Sequence, residues 1–230
     1  MSNNTSHHRR IVSFVKREGR LTPGQQRAID QHRSRFGIDL QPQALDFYSL
    51  FANNNPVTLE IGFGNGESLI QMARADSERN FIGIEVHRPG VGRLLHRIDE
   101  ESLQNIRCIN EDAVIVLQQM IPDNSLDRLQ LFFPDPWHKK RHHKRRIVSE
   151  EWIALVQQKL HTEGILHMAT DWEHYAQQML EVMSHAEGYS NLSDNGDFVS
   201  RPDARPLTKF EERGHRLGHG VWDLMFKKIK

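Results

Sequence analysis

From residue 57 onward the hydrophobic positions fall into two alternating kinds of run. Short, nearly continuous apolar stretches occur at 57–61 (Val57-Thr58-Leu59-Glu60-Ile61), 81–85, 106–109, 126–133 and 164–169. They have the length of strands buried on both faces. Each is followed by a longer stretch in which apolar residues recur every three or four positions, at 67–75, 91–98, 113–120, 149–160 and 172–183, the spacing of one helix face. Asn53-Asn54-Asn55-Pro56 punctuates the chain before the first strand, and Pro89 suits an early helical position. Strand and helix in regular alternation predict an α/β domain with a mostly parallel, doubly wound sheet and right-handed crossovers. A late strand at 221–227 follows a Pro- and Gly-rich connection.

Before residue 57 the pattern is mixed. Residues 1–20 are polar and basic and are expected to include a disordered arm. Thr22-Pro23 is a helix-start signal, and 44–51 is a short apolar-periodic segment. The expected organisation is a basic, partly disordered extension over 1–50 and one domain over 51–230.

Composition adds polarity to this picture. Thirty Lys and Arg balance thirty Asp and Glu, yet Lys139, Lys140, Arg141, Lys144, Arg145 and Arg146 lie together, leaving the remainder near −6. The first forty residues are also basic. Two such zones point to a polyanionic partner rather than a solvated face alone. Cys108 is the only cysteine, which excludes an intrachain disulfide, and no apolar run reaches membrane-spanning length. The expectation is a cytoplasmic protein without a membrane segment.

The chemistry clusters at the ends of the predicted strands, where open α/β sheets bind ligands. Gly62, Gly64 and Gly66 form a turn between strand and helix, but their spacing is not that of a dinucleotide site. Glu60, just before it, would repel a pyrophosphate and suit an ammonium group. Glu85 ends the second strand, where a carboxylate can take both hydroxyls of a ribose. Asp112 follows the third strand, either flanking a purine ring or capping the next helix. Beyond the fourth strand, Asp135 lies between Pro134 and Pro136, which favours a fixed, extended loop. His138 and His142 stand four apart among cations, with no third ligand at a sensible spacing, so no metal is expected.

The run 59–66 with Glu85 and Asp112 resembles the class I S-adenosylmethionine-dependent methyltransferases, which implies a Rossmann-like fold whose late strand is antiparallel. Phe132-Phe133-Pro134-Asp135-Pro136-Trp137-His138-Lys139-Lys140-Arg141-His142, Thr170-Asp171-Trp172 and Thr208-Lys209-Phe210-Glu211-Glu212-Arg213-Gly214 resemble one family within it, the tRNA (guanine-N7)-methyltransferases. The resemblance spans about 57–230. It implies methyl transfer from S-adenosylmethionine to N7 of a guanosine in the variable loop of tRNA. Cofactor contacts are then expected at Glu60, Gly62, Gly64, Glu85, Asp112 and Asp135, with Asp135 also the catalytic residue. The resemblance places substrate contacts at Lys139, Asp171, Thr208, Lys209, Phe210 and Glu211. Asp171 has an alternative as a helix cap, Thr208 and Glu211 as a capping box, and Phe210 as a core residue. The run Arg141, His142, His143, Lys144, Arg145 and Arg146 is expected to grip RNA phosphates, with the protein a monomer. Two other activities compete: an amino-methyltransferase acting on an exocyclic base amine, because Pro134-Asp135-Pro136-Trp137 is similar to the motif of such enzymes, and a non-catalytic RNA-binding protein on the same fold. A nicotinamide-dependent dehydrogenase is disfavoured by Glu60 and the glycine spacing.

Overall fold

The computed structural model describes residues 12–14, 19–207, 211 and 220–230. Its centre is an eight-stranded sheet in the order β1-β4-β3-β2-β5-β6-β8-β7. The strands are β1 (Gly37–Ile38), β2 (Val57–Ile61), β3 (Asn80–Ile84), β4 (Ile106–Ile109), β5 (Leu126–Phe132), β6 (Leu160–Thr170), β7 (Tyr189–Asn191) and β8 (Trp222–Lys228). Pairing is parallel from β1 through β6, and β8 and β7 add antiparallel. All five residues of β2 and of β3 are buried, as expected of parallel strands covered on both faces.

Two hydrophobic clusters account for the two faces. One gathers α1 (Pro23–Phe36), α3 (Glu67–Ala75) and α4 (Arg88–Glu100) through Ile29, Leu69, Leu94 and Ile98. The other gathers α5 (Ala113–Gln119), α6 (Glu150–Lys159) and α7 (Glu173–Ser184) through Leu117, Trp152, Val156 and Met179. Short α2 (Phe47–Phe51) contributes Phe51. Cys108 on β4 is buried, and burial pushes its thiol up to about 12, the behaviour of an inert core residue.

The structure departs from the sequence pattern mainly at the ends. Thr22 and Gln25 form a reciprocal capping box, so α1 begins where expected, but it runs on to Phe36 and leads directly into β1, which pairs with β4. Residues 23–38 are therefore part of the sheet architecture. Two- and three-residue strands such as β1 and β7 carry too short a pattern to be legible alone. The strand expected over 126–133 stops at Phe132 because Phe133 turns left-handed (φ 51°). Residues 1–11 and 15–18, expected to include a disordered arm, lie outside the described residues.

One contact locks the sheet's ligand-binding edge. A Cβ on Gly90, in the first turn of α4, would lie 2.0 Å from the carbonyl oxygen of Gly64. Only glycine allows the α4 backbone this close to the turn after β2. Gly90→Ala is expected to destabilise the protein by about 1–3 kcal/mol, a fall in Tm of roughly 3–10 °C, measurable by thermal unfolding.

Candidate active site

The order of the sheet reverses between β2 and β5, since the chain leaves β2 toward β3 on one side while β5 pairs on the other. Such a switch point is where an open α/β sheet holds its ligand. A cavity of about 490 Å³ opens there, lined by Gly62, Glu85, Glu111, Phe133 and Asp135 among others. Gly62 (φ 76°) and Gly64 (φ 57°) have the left-handed backbone that requires glycine, and a Cβ on either would meet nothing within 4 Å. The turn thus leaves its backbone open to a ligand.

Glu60 is 2% exposed. Ser68, at the start of α3, donates to its Oε1 at 2.9 Å, while Oε2 has no hydrogen-bond partner among the described residues. Burial raises its pKa to about 7, against the lowering effect of Ser68 and with a further push from the charge of Glu85. Among the described residues this buried, half-satisfied carboxylate is an acceptor without a cation. Glu85 bridges two loops: its Oε2 accepts from the Gly64 backbone N–H and its Oε1 from that of His87, both at 2.8 Å. A carboxylate has about four acceptor positions, so capacity for a diol remains. Asp112 is the N-cap of α5, accepting from the Val114 N–H at 2.9 Å. Its neighbours Glu111 and Ala113 line the cavity.

Asp135 is exposed at the cavity and accepts from the Trp137 N–H at 3.0 Å. Two bulky residues flanking it, Phe133 (φ 51°) and Trp137 (φ 45°), have left-handed backbone. Such conformations persist only where packing over-determines them, and they cluster at functional sites. The packing is visible. Arg146 donates from Nε to the Pro136 carbonyl at 2.9 Å, and from Nη1 to Gln178. The Arg145 guanidinium sits 3.9 Å from the Trp137 ring centroid.

The basic run folds as a 3₁₀-helix over Lys140–Arg145. Three residues per turn align side chains at i and i+3, which sorts the run into rows. His142 and Arg145 face Trp137. His143 and Arg146 face His174. Arg141 and Lys144 remain exposed, as do Lys139 and Lys140. Arg146, expected among the RNA contacts, is instead 5% exposed and braces the loop from within. Arg145 donates to the Val12 and Phe14 carbonyls and Trp137 Nε1 to that of Ser13, drawing residues 12–14 to the cavity, where Ser13 and Phe14 join its lining. His138 packs against Trp172, and no group of three metal-ligating side chains occurs among the described residues.

On the target side, Asp171 does not cap α7. Trp172 occupies the N-cap position, and the Asp171 carboxylate accepts no hydrogen bond from the described residues. Glu211 is 2% exposed, and both its oxygens accept from Arg205. Thr208, Lys209 and Phe210 lie outside the described residues.

A family model described as "Putative methyltransferase" matches residues 54–224. Proteins named tRNA (guanine-N(7)-)-methyltransferase from Yersinia enterocolitica and Vibrio cholerae are each 60% identical over 220 and 221 residues, covering 96% of this chain and 92% of theirs. One from Salmonella typhimurium is 59% identical over 222 residues, 96% of this chain and 93% of its own. The chain belongs to the tRNA (guanine-N7-)-methyltransferase family. Among solved structures, the 16S rRNA methyltransferase KamB superposes with a TM-score of 0.60 at 14% identity, covering 82% of this chain and 95% of that one. An rRNA methylase from Streptococcus thermophilus gives 0.52 at 10%, covering 77% and 89%. These two likenesses establish the fold.

The site fits the methyl donor of this family, S-adenosylmethionine. The orphaned oxygen of Glu60 calls for a cation such as the methionine ammonium, the open glycine turn admits a ligand against the backbone, and Glu85 retains acceptor capacity for a ribose. What sequence alone did not reveal is the support: Ser68 behind Glu60, Gly90 behind Gly64, Trp137 and Arg146 behind Asp135. Only Trp137, beside Asp135 in the motif, carried a local signal.

Because the folded-state pKa of Glu60 is raised, the unfolded chain holds fewer protons between pH 4.5 and about 7, and the cofactor-free protein loses stability as pH rises through that window. Glu60→Gln is expected to remove this penalty, making the cofactor-free protein about 2–3 kcal/mol more stable than wild type at pH 8 and little different at pH 4.5. Urea unfolding at the two pH values measures it. Calorimetry should show the same variant binding S-adenosylmethionine more weakly.

Proposed function

We propose that this chain transfers the methyl group of S-adenosylmethionine to N7 of a guanosine in the variable loop of tRNA, giving 7-methylguanosine. The observation that carries the reading is the placement of Asp135. A fixed carboxylate stands across the sheet's switch point from the Gly62–Gly64 turn, at the mouth of the cofactor cavity and directly before a row of exposed cations. When bound, S-adenosylmethionine supplies a methyl group on a positively charged sulfur, and guanine N7 offers a lone pair with no proton to remove. Positioning and electrostatics therefore carry the rate, with little demand for a general base.

The chain's residues divide that work. Glu60 holds the donor's ammonium, Glu85 its ribose, and the Asp112 end of α5 flanks its adenine. Asp135 holds the purine in line and stabilises the positive charge that appears on it as the methyl group arrives. Asp171, whose carboxylate is uncommitted among the described residues, presents an acceptor for the guanine edge, and the exposed Lys139, four residues after Asp135, is a second target contact. Thr208, Lys209 and Phe210 complete the target side in the same proposal. Arg141 and Lys144, facing outward, contact phosphates, while Arg145 and Arg146 contribute by holding the loop. Action as a monomer in the cytoplasm belongs to the same reading.

The test is transfer of a labelled methyl group to unmodified tRNA, followed by mapping of the modified nucleoside. 7-Methylguanosine in the variable loop is the expected product, and N6-methyladenosine would instead identify an amino-methyltransferase. Asp135→Ala is expected to lower kcat by about 10²–10³ with tRNA affinity nearly unchanged. Replacing Arg141 and Lys144 together by Gln should flatten the salt dependence of tRNA binding by about one to two units of log–log slope, without changing the product.

A further inference from the structure

We infer that Arg205 is a positioning residue for methyl transfer, fixing Glu211, β8 and the Asp135 loop relative to one another; the inference rests on the tRNA reading of the site. Arg205 is 1% exposed, and its guanidinium makes four hydrogen bonds to two carboxylates. Nη1 and Nη2 each donate to one oxygen of Glu211 at 2.7 Å. Nε and Nη2 donate to the two oxygens of Asp223, on β8, at 2.7 and 2.9 Å. Asp223 is also within 2.7 Å of His167 Nε2 on β6, and Asp223 and His167 are both buried. The guanidinium carbon lies 5.8 Å from the Phe132 ring centroid and 5.7 Å from that of Phe133.

Arg205 is therefore the joint of three stretches of chain. One is β8, through Asp223. Another is the Phe133 turn, two residues before Asp135. The third is the chain at Glu211, whose two carboxylate oxygens both accept from Arg205. A stability role explains this poorly, because desolvating three charges costs about as much as their pairing returns, and an apolar filling of the same volume serves at least as well. What the cluster supplies is geometry. A planar fork with fixed donor directions holds two carboxylates at one mutual angle, which an ammonium on a flexible stem does not.

The discriminating variant is Arg205→Lys, which keeps the charge and loses the fork. The expected result is a fall in kcat at saturating tRNA of about 30- to 100-fold, as a small misplacement of reacting groups produces. The Kd for S-adenosylmethionine, held in this reading by Glu60, Glu85 and Asp112 at the ends of β2, β3 and β4, should stay within about twofold of wild type. Glu211→Gln leaves the Arg205–Asp223 pairing intact and should lower kcat in the same direction by about tenfold, again sparing cofactor affinity; it decides by the same criteria if Arg205→Lys does not fold. Wild-type kcat and KM in these variants, or a loss of activity matched by loss of cofactor binding, overturns the inference. The wild-type protein assayed alongside keeps the failures apart. Its own inability to methylate tRNA overturns both the inference and the reading of the site, whereas normal wild-type transfer with unaffected variants overturns Arg205 alone.

Discussion

A carboxylate withdrawn from water into a parallel sheet costs several kcal/mol unless something positive meets it, and Glu60 imposes that condition on the ligand-binding edge of this protein. Ser68 satisfies one oxygen and nothing among the described residues satisfies the other. The turn that follows is built so that a ligand can reach the strand end: glycine backbone at positive φ, open above and backed from below by the first turn of α4 at Gly90. Glu85 then ties the Gly64 and His87 backbones together at the next strand end. A cationic ligand group meets, at one place, both an electrostatic deficit and a preformed opening, so folding carries part of the ordering cost in advance of binding.

The neighbouring strand presents a second carboxylate under the opposite condition. Asp135 is exposed, and it is the surrounding backbone that is costly, with Phe133 and Trp137 in conformations worth roughly 1–3 kcal/mol of strain each. Two buried guanidinium groups hold this arrangement from different sides. Arg146 grips the Pro136 carbonyl and lies over the ring of Tyr175, and Arg205 lies beside Phe132 and Phe133. An arginine can do this because its planar head packs against rings while its edge donates hydrogen bonds. The basic run thus serves two purposes divided by the threefold repeat of a 3₁₀-helix. Its inward rows fasten the loop and residues 12–14, while its outward row stays available to a polyanion.

Apart from the three-residue β7, the order of strands and helices from residue 57 onward, the parallel class of the sheet, the glycine turn and the carboxylates at the strand ends were legible in the sequence. These are consequences of short-range pattern: burial on both faces writes continuous apolar runs, helix faces write a period near 3.6, and ligand chemistry sits where strands end. Even the late strand is legible, because Trp222–Lys228 carries its own pattern, while its antiparallel orientation comes from its pairing with β6. The resemblance of the Asp135 motif to one methyltransferase family is equally local, and the comparison with relatives at about 60% identity agrees with it.

Only the tertiary structure decided which charged residues face out and which hold the site together. Arg141 and Arg146 look alike in a list of cations, yet one is exposed and the other 5% exposed, because the helix repeat and the arrival of α7 sort them. Glu211 reads as a substrate contact or a cap, and what settles its surroundings is Arg205, brought against Asp223 of β8 and the Phe133 turn by sheet pairing. Gly90 has no visible purpose until α4 is laid against Gly64, twenty-six positions earlier. Periodicity along a chain records how each segment relates to the core as a whole. Which particular segments meet depends on sheet order and crossover geometry, and those contacts between distant positions are the ones that aim Asp135 and bury Glu60 against Ser68.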